Sequence, residues 1–332
     1  MKNKFEIIAE TAFSHEGNFD YLLAQVKSAK VGKVDYIKFQ VFIDKDAVYP
    51  KSHPNYKIVG KWVIDKEKWL QAFRYAKMLN LKIIVLPIDL SSLDFCIENN
   101  ELIDAYEVHS VCFNEYYLLK KLSNVNKKFI LGIGGRYPEE INYAIENLSI
   151  NRKNPILMYG FQSFPTDITK INLNKINIFS NLFNCKIGYA DHTIFNNDIF
   201  YNLIEYSYLL SARLFEKHIV LEKGKKRIDY ESAIISEDFI ELRNRLNNLS
   251  NIMGNGEIFK LNNKEIEYRK RERQIVAARN INKNETISLE DLTYKVIEGR
   301  SDFEQNEINK IIGKKCNLSI QKDDPIKFKN LK

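Results

Sequence analysis

A chain of 332 residues allows one barrel-sized domain and a small second one, and 45% hydrophobic with 28% charged residues is the composition of a globular protein with a large core. No apolar run approaches the roughly 20 residues of a membrane helix, and Met1 to Glu6 leads into a strand pattern, which excludes a membrane class and sets the expectation of a cytoplasmic protein. The formal charge of +7 is spread along the chain without a basic run, so no nucleic-acid partner is expected and the surface favours anionic substrates mildly. The four cysteines, Cys96, Cys112, Cys185 and Cys316, form no C-x-x-C pair and read as reduced, buried thiols.

In chain order, strand patterns fall at Phe5 to Ala9, Tyr36 to Phe42, Lys82 to Leu86 and Ala105 to Val108. They continue at Phe129 to Ile133, Pro155 to Tyr159, Cys185 to Gly188 and Ala212 to Phe215. Helical spacing separates them, as at Asp20 to Val31, Lys66 to Leu79, Leu90 to Asn99, Glu115 to Leu122, Pro138 to Leu148 and Asp198 to Leu210, with a last helix near Ser236 to Ile252. Eight strands alternating with eight helices is the arithmetic of a (β/α)8 TIM barrel, here residues 1–259. Residues 260–273 are highly charged and read as a partly helical linker. Residues 274–332 then hold short strands at Ile275 to Ala278, Thr286 to Ile287, Leu292 to Tyr294 and Ile326 to Phe328.

Polar residues gather where the barrel strands end, the edge on which active sites of this fold are built. Glu10 follows the first strand, Lys38 and Gln40 flank Phe39 at the end of the second, His109 and Ser110 follow the fourth, and Tyr159 to Gln162 the sixth. The motif Gly188-Tyr189-Ala190-Asp191-His192-Thr193 is answered one helix later by Phe215-Glu216-Lys217-His218. His192 and His218, just past the ends of neighbouring strands, are placed to converge on one metal ion, with Asp191 as a carboxylate to orient an imidazole. His15 in the first loop reads equally as a cap for the following helix, and His53 has no assigned role.

These motifs resemble the sialic acid synthase family. Ile8 to Asn18 is similar to its opening motif, and Lys38-Phe39-Gln40, Gly188 to Thr193, Glu216-Lys217-His218 and Asp229-Tyr230-Glu231-Ser232 match later motifs in order. The C-terminal part, from Ile275-Val276-Ala277-Ala278 to Lys322-Asp323-Asp324-Pro325-Ile326, resembles that family's antifreeze-like (SAF) domain.

The resemblance implies condensation of phosphoenolpyruvate with an N-acylated hexose to a nonulosonic acid for surface glycan, with release of phosphate. It implies a divalent metal, Mn2+, held by His192 and His218, with Glu10 and Asp229 as further catalytic residues, and a domain-exchanged homodimer. Substrate-binding roles fall by the same likeness on Lys38, Gln40, Ser110, Gln162, Asp191, Glu216, Lys217, Ser232 and Arg300. Some positions depart from the family pattern. Glu107 stands where the family has Lys, Gly132-Ile133-Gly134 replaces S-T-G, Ala190 replaces Ser, and Ser14 replaces Asn. The Asn expected before the Tyr-Pro turn is Gln162, and the family's Arg-Pro-Gly is missing near Ile297-Glu298-Gly299, with Arg300 as its substitute. Two other readings stand beside the synthase: a metal-dependent aldolase or lyase using another donor such as pyruvate, and a non-catalytic sugar-binding homologue.

Overall fold

A computed structural model of the chain describes residues 4–148, 154–161, 166–194 and 199–332. It divides into a first unit through Asn255 and a second from Gly256 to Lys332. The first is a closed parallel barrel: β1 (Glu6–Glu10), β2 (Tyr36–Val41), β3 (Lys82–Pro87), β4 (Ala105–Val108), β5 (Lys128–Gly132), β6 (Ile156–Tyr159), β7 (Ile187–Ala190) and β8 (Leu214–Ile219). β1 closes it against β8, in register from Glu6 with Leu214 to Glu10 with His218. A two-residue strand, β9 (Ala233–Ile234), adds to the rim of β8.

The outer layer holds α1 (Phe19–Val31), α2 (Lys66–Met78), α3 (Leu90–Glu98), α4 (Tyr116–Leu122), α5 (Pro138–Leu148), α6 (Asn174–Phe183), α7 (Ile199–Leu209) and α8 (Ser236–Met253). In α2 the buried residues are Trp69, Ala72, Phe73 and Ala76, a spacing of three and four that forms one apolar stripe. That stripe meets Phe39, which points outward from β2, with ring centroids 5.9 Å from Trp69 and 5.4 Å from Phe73. Asn18 and Asp65 start α1 and α2 by accepting from the amides of Tyr21 and Lys68.

The start of α3 carries more than a cap. Buried Asp89 accepts from the Ser92 amide at 2.7 Å, from the Ser92 hydroxyl, and from the Ile43 and Asp44 amides at 3.2 and 3.3 Å. It therefore ties the loop after β2 to the loop after β3. Asp89→Ala is expected to lower unfolding free energy by about 2 to 4 kcal/mol, because the cap is lost and buried donors are left unpaired. A shift in the urea midpoint checks this; a midpoint unchanged from the wild type would show that water replaces the carboxylate.

The elements differ from the sequence reading in places. The seventh strand lies two residues later than Cys185 to Gly188, and the eighth runs to Ile219, so His218 is inside its strand and not past it. The apolar pattern stops at Phe215, and pairing with β1 carries the strand through Glu216, Lys217 and His218, with β7 also pairing at Glu216 and β9 at His218. α6, rich in Asn, is a helix that the apolar spacing does not mark. The helix after His192 is described from Ile199, so the expected start at Asp198 lies outside the described residues.

The second unit has its own core of Ile275, Ala277, Ile281, Ile287, Ile311 and Ile320, with an antiparallel pair of β10 (Gln274–Ala277) and β11 (Leu292–Lys295). Before it stands α9 (Asn263–Arg269) in the charged segment, where Asn262 and Glu265 form reciprocal caps. The strand expected at Ile326 to Phe328 is absent: Pro325 makes one isolated bridge to Val276, and Phe328–Asn330 is a helical turn. Proline has no amide to extend a ladder. All four cysteines are free and buried. Among the described residues no helix is long and apolar enough to cross a membrane.

Candidate active site

The barrel interior is organised in levels of the strand pleat. One apolar cluster in the interior takes a residue from every strand: Ile8, Tyr36, Ile84, Ala105, Ile130, Met158, Ala190 and Leu214. Side chains repeat on one face every two residues, so the next level toward the C-terminal edge includes Glu10, Lys38, Glu107, Gly132 and Glu216. These residues line a cavity of about 250 Å³, together with Gln40, His192, His218 and Asp229.

At its floor is a buried ionic cluster. Lys38 Nζ stands 3.1 Å from Glu10, 3.0 Å from Glu107 and 2.8 Å from Glu216, with every one of these side chains 5% exposed or less. Burial opposes the charge on Lys38, yet the three carboxylates raise its pKa above the ordinary value. Burial also raises Glu216 well above the usual carboxylate range, and Glu107 above it, because one ammonium cannot satisfy three carboxylates. Glu10 goes the other way: against the cost of burial, Lys38 and then His218 hold it well below its ordinary value. Gln40 Nε2 donates to Glu10 Oε1 at 2.6 Å and fixes the carboxylate in place.

Beside this cluster His192 and His218 face one another with ring centroids 5.2 Å apart and planes at 85°. Burial, and then the charge of His218, press the pKa of His192 down to about 3, so its ring is neutral. His192 Nδ1 is buried without a hydrogen-bond partner. His218 Nε2 lies 3.5 Å from Glu10 Oε2, and its Nδ1 lies 3.3 Å from the Ser232 hydroxyl. A neutral imidazole with an orphaned, buried ring nitrogen is the donor chemistry a divalent transition metal takes. Among the described residues no group of three or more His, Cys, Asp or Glu is arranged to hold a metal. The donor set that would hold such an ion here is thus the imidazole pair alone.

Asp191 and Lys217 stand elsewhere than expected for substrate-binding groups. They form a pair with zero side-chain exposure, and neither lines the cavity. Asp191 also accepts from the Tyr189 hydroxyl at 3.1 Å and from the amide and hydroxyl of Thr193 at 3.1 and 2.7 Å, while Lys217 reaches the Thr193 carbonyl at 2.7 Å. Residue 217 has the outward parity of β8, so its ammonium meets the helix layer, 4.6 Å from the Phe200 ring centroid. The carboxylate orients the turn bearing His192 and not the ring itself. Ser232 likewise supports His218 from outside the lining.

Of the remaining candidates, Ser110 lines the cavity, and Asp229 does so from a left-handed backbone conformation (φ 60°). Burial raises the pKa of Asp229. Gln162 lies outside the described residues, and Arg300 belongs to the second unit, where it donates to Glu304 at 2.7 Å. His15 does not cap α1, since Asn18 does; its Nδ1 accepts from the Gly17 amide at 3.0 Å. Sequence reasoning treated Glu107 as a lost cation and missed its bond to Lys38. The signal was present in strand parity.

A model of the NeuB family matches residues 25–258, and a model of the SAF domain matches residues 272–332. The chain belongs to the NeuB family. Within it, the chain is similar to protein MJ1065 of Methanocaldococcus jannaschii, 30% identical over 98% of this chain and 94% of that one. It is 26% identical to the N,N'-diacetyllegionaminic acid synthase of Campylobacter jejuni, over 87% of this chain and 89% of the other. The same fold is seen in a crystal structure of a spore coat polysaccharide biosynthesis protein E from Chromobacterium violaceum, with a TM-score of 0.85, 20% identity and coverage of 99% and 100%. In this NeuB chain the histidine pair, Glu10, Lys38 and Gln40 meet on one cavity, and an acidic residue, Glu107, sits at its floor.

Proposed function

We propose that this NeuB-family chain is a nonulosonic acid synthase, joining C3 of phosphoenolpyruvate to the aldehyde carbon of an open-chain N-acylated hexose. Water adds at C2 of the donor and phosphate leaves, giving a product for surface glycan synthesis. The observation that carries the reading is the imidazole pair His192 and His218, with a buried unpartnered ring nitrogen on His192, beside Glu10 on the floor of a barrel cavity.

A divalent cation, Mn2+ by family likeness, held by His192 and His218 would supply Lewis-acid polarisation of the aldehyde oxygen. The protein's own residues do the rest. Glu10, kept as a carboxylate by Lys38 and oriented by Gln40, is the base placed to take a proton from water as it adds. Asp229 on the rim binds sugar hydroxyls, and Ser110 addresses the donor. A second reading, pyruvate as donor, is favoured by one observation: the ammonium of Lys38 is already surrounded by carboxylates.

The test is phosphate release from phosphoenolpyruvate with Mn2+ and a panel of N-acylated hexoses. One sugar is expected to support turnover, and His192→Ala to lower it by about 100-fold or more, with weakened Mn2+ binding as a second readout. Folded protein that binds Mn2+ yet releases no phosphate with any sugar would sink the phosphoenolpyruvate reading.

A further inference from the structure

The strand parity that gathers carboxylates at the C-terminal edge of the barrel gathers lysines at the opposite edge. Two residues back from Ile8, Ile84 and Ile130 stand Glu6, Lys82 and Lys128, and four back from Ile8, Met158 and Ala190 stand Lys4, Asn154 and Lys186. All of these except Lys82, joined by Arg213 just before β8, line a second cavity of about 610 Å³ at the strand starts. Leu214 of the interior apolar cluster, and Ile156 packed against that cluster, line it too.

Among the described residues this cavity has four cations, Lys4, Lys128, Lys186 and Arg213, and one carboxylate, Glu6. Glu6 is already engaged: Lys82 Nζ lies 2.8 Å from it and the Tyr36 hydroxyl donates to it at 3.3 Å. Arg213 is fixed without a counterion, its Nη1 donating to the Tyr208 and Ala212 carbonyls, both at 2.7 Å, and its guanidinium 4.1 Å from the Tyr208 ring centroid. Other exposed lysines of this chain stand beside carboxylates, as Lys68 does beside Asp65 at 3.2 Å and Lys225 beside Glu222 at 3.1 Å. The N-terminal edge of this fold ordinarily serves stability. Like charges around one hollow work against stability by mutual repulsion, and an anion seated among them reverses the sign. We infer that the N-terminal mouth of the barrel is a binding site for a small phosphorylated anion of two or more negative charges, held by Lys4, Lys128, Lys186 and Arg213, with its uncharged part against Ile156 and Leu214. The charges surround a recess, which suits a small molecule better than a flat anionic bilayer. The site lies at the opposite strand ends from the histidine pair and does not depend on the donor or sugar used there.

The experiment is calorimetric titration of the full chain with inorganic pyrophosphate at low ionic strength, with EDTA present so that neither the probe nor the histidine pair carries a metal. The wild type is expected to take up pyrophosphate, and Lys128→Ala combined with Lys186→Ala to weaken that binding about tenfold or more. Glu6→Gln, which removes the one carboxylate and releases Lys82, is expected to tighten it about threefold. Lys27→Ala combined with Lys30→Ala, two exposed lysines of α1, controls for net charge and is expected to match the wild type. Pyrophosphate is also expected to raise the melting temperature of the wild type and not that of the Lys128 and Lys186 double variant, since a ligand of the folded chain stabilises it. The inference is overturned if the wild type takes up no pyrophosphate, if the two lysine pairs weaken binding equally, or if Glu6→Gln weakens it. Binding of anionic phospholipid vesicles through Lys128 and Lys186, without any uptake of pyrophosphate, would overturn it in favour of a membrane surface.

Discussion

Lys38→Met is expected to lower unfolding free energy by about 3 to 5 kcal/mol near pH 7.5, the cost of leaving buried charge uncompensated. Methionine nearly conserves the volume, so the loss is electrostatic. In the native cluster a single ammonium touches Glu10, Glu107 and Glu216, all of them buried. Without it the carboxylates must take up protons in order to stay folded. Glu107 and Glu216 already have raised pKa values through burial, and Glu10 loses the lysine that holds it down. The pH dependence has a definite sign. Acids whose folded pKa lies above the unfolded value bind extra protons when native, so the variant gains stability as pH falls from neutral toward the unfolded carboxylate value of about 4.5. Its deficit against the wild type therefore shrinks on acidification. Adding Glu107→Gln to Lys38→Met is expected to restore part of the loss by removing one of the stranded charges. Urea midpoints at two pH values settle the matter: equal stability of Lys38→Met and wild type near pH 7.5, or a deficit that does not move with pH, would mean that the cluster is screened by water.

Much of the barrel was legible because its strands are apolar on both faces below the cavity level. Ala105 to Val108 and Pro138 to Leu148 stand within the bounds read from the pattern. The signal fails at the cavity level, where function puts polar residues inside strands. Glu216, Lys217 and His218 break the apolar run of β8, so the sequence pattern ends before the residues the strand positions. The candidate residues were found one strand end at a time, and that is why Glu107 looked like an isolated departure. Counting two residues on from the buried positions Ile8, Tyr36, Ala105 and Leu214 gives Glu10, Lys38, Glu107 and Glu216, the four members of the ionic cluster. Lys217 shows the same rule in reverse. Its odd step along β8 sends it outward to Asp191, where a reading by motif alone placed it among the substrate-binding groups.

His15 makes acid a stress on the fold. Its ring is fully buried between Phe13 and Trp69, at centroid distances of 6.2 and 6.0 Å, and its Nδ1 accepts from the Gly17 amide. Protonation there would put a cation among aromatic edges, turn an acceptor into a donor facing an N–H, and oppose nearby Arg227. Burial first, and Arg227 second, accordingly bring its pKa down from 6.5 to about 4. Because the unfolded ring takes up its proton near pH 6.5 and the folded ring only near 4, the unfolded state is favoured progressively as pH falls through that window. Above about pH 6.5 the stabilising effect of the neutral ring is fully present; below about pH 4 it is gone, a loss of roughly 3 kcal/mol at 1.36 kcal/mol per unit. His109, neutral in the cavity wall with a pKa also near 4, adds to the slope in the same direction. His15→Gln keeps an acceptor for the Gly17 amide and removes the titration. The variant is expected to start less stable than the wild type near pH 7.5, through imperfect packing, and to lose less between pH 6.5 and 4. Parallel stability curves for the two proteins across that range would show that His15 reaches water before the chain unfolds.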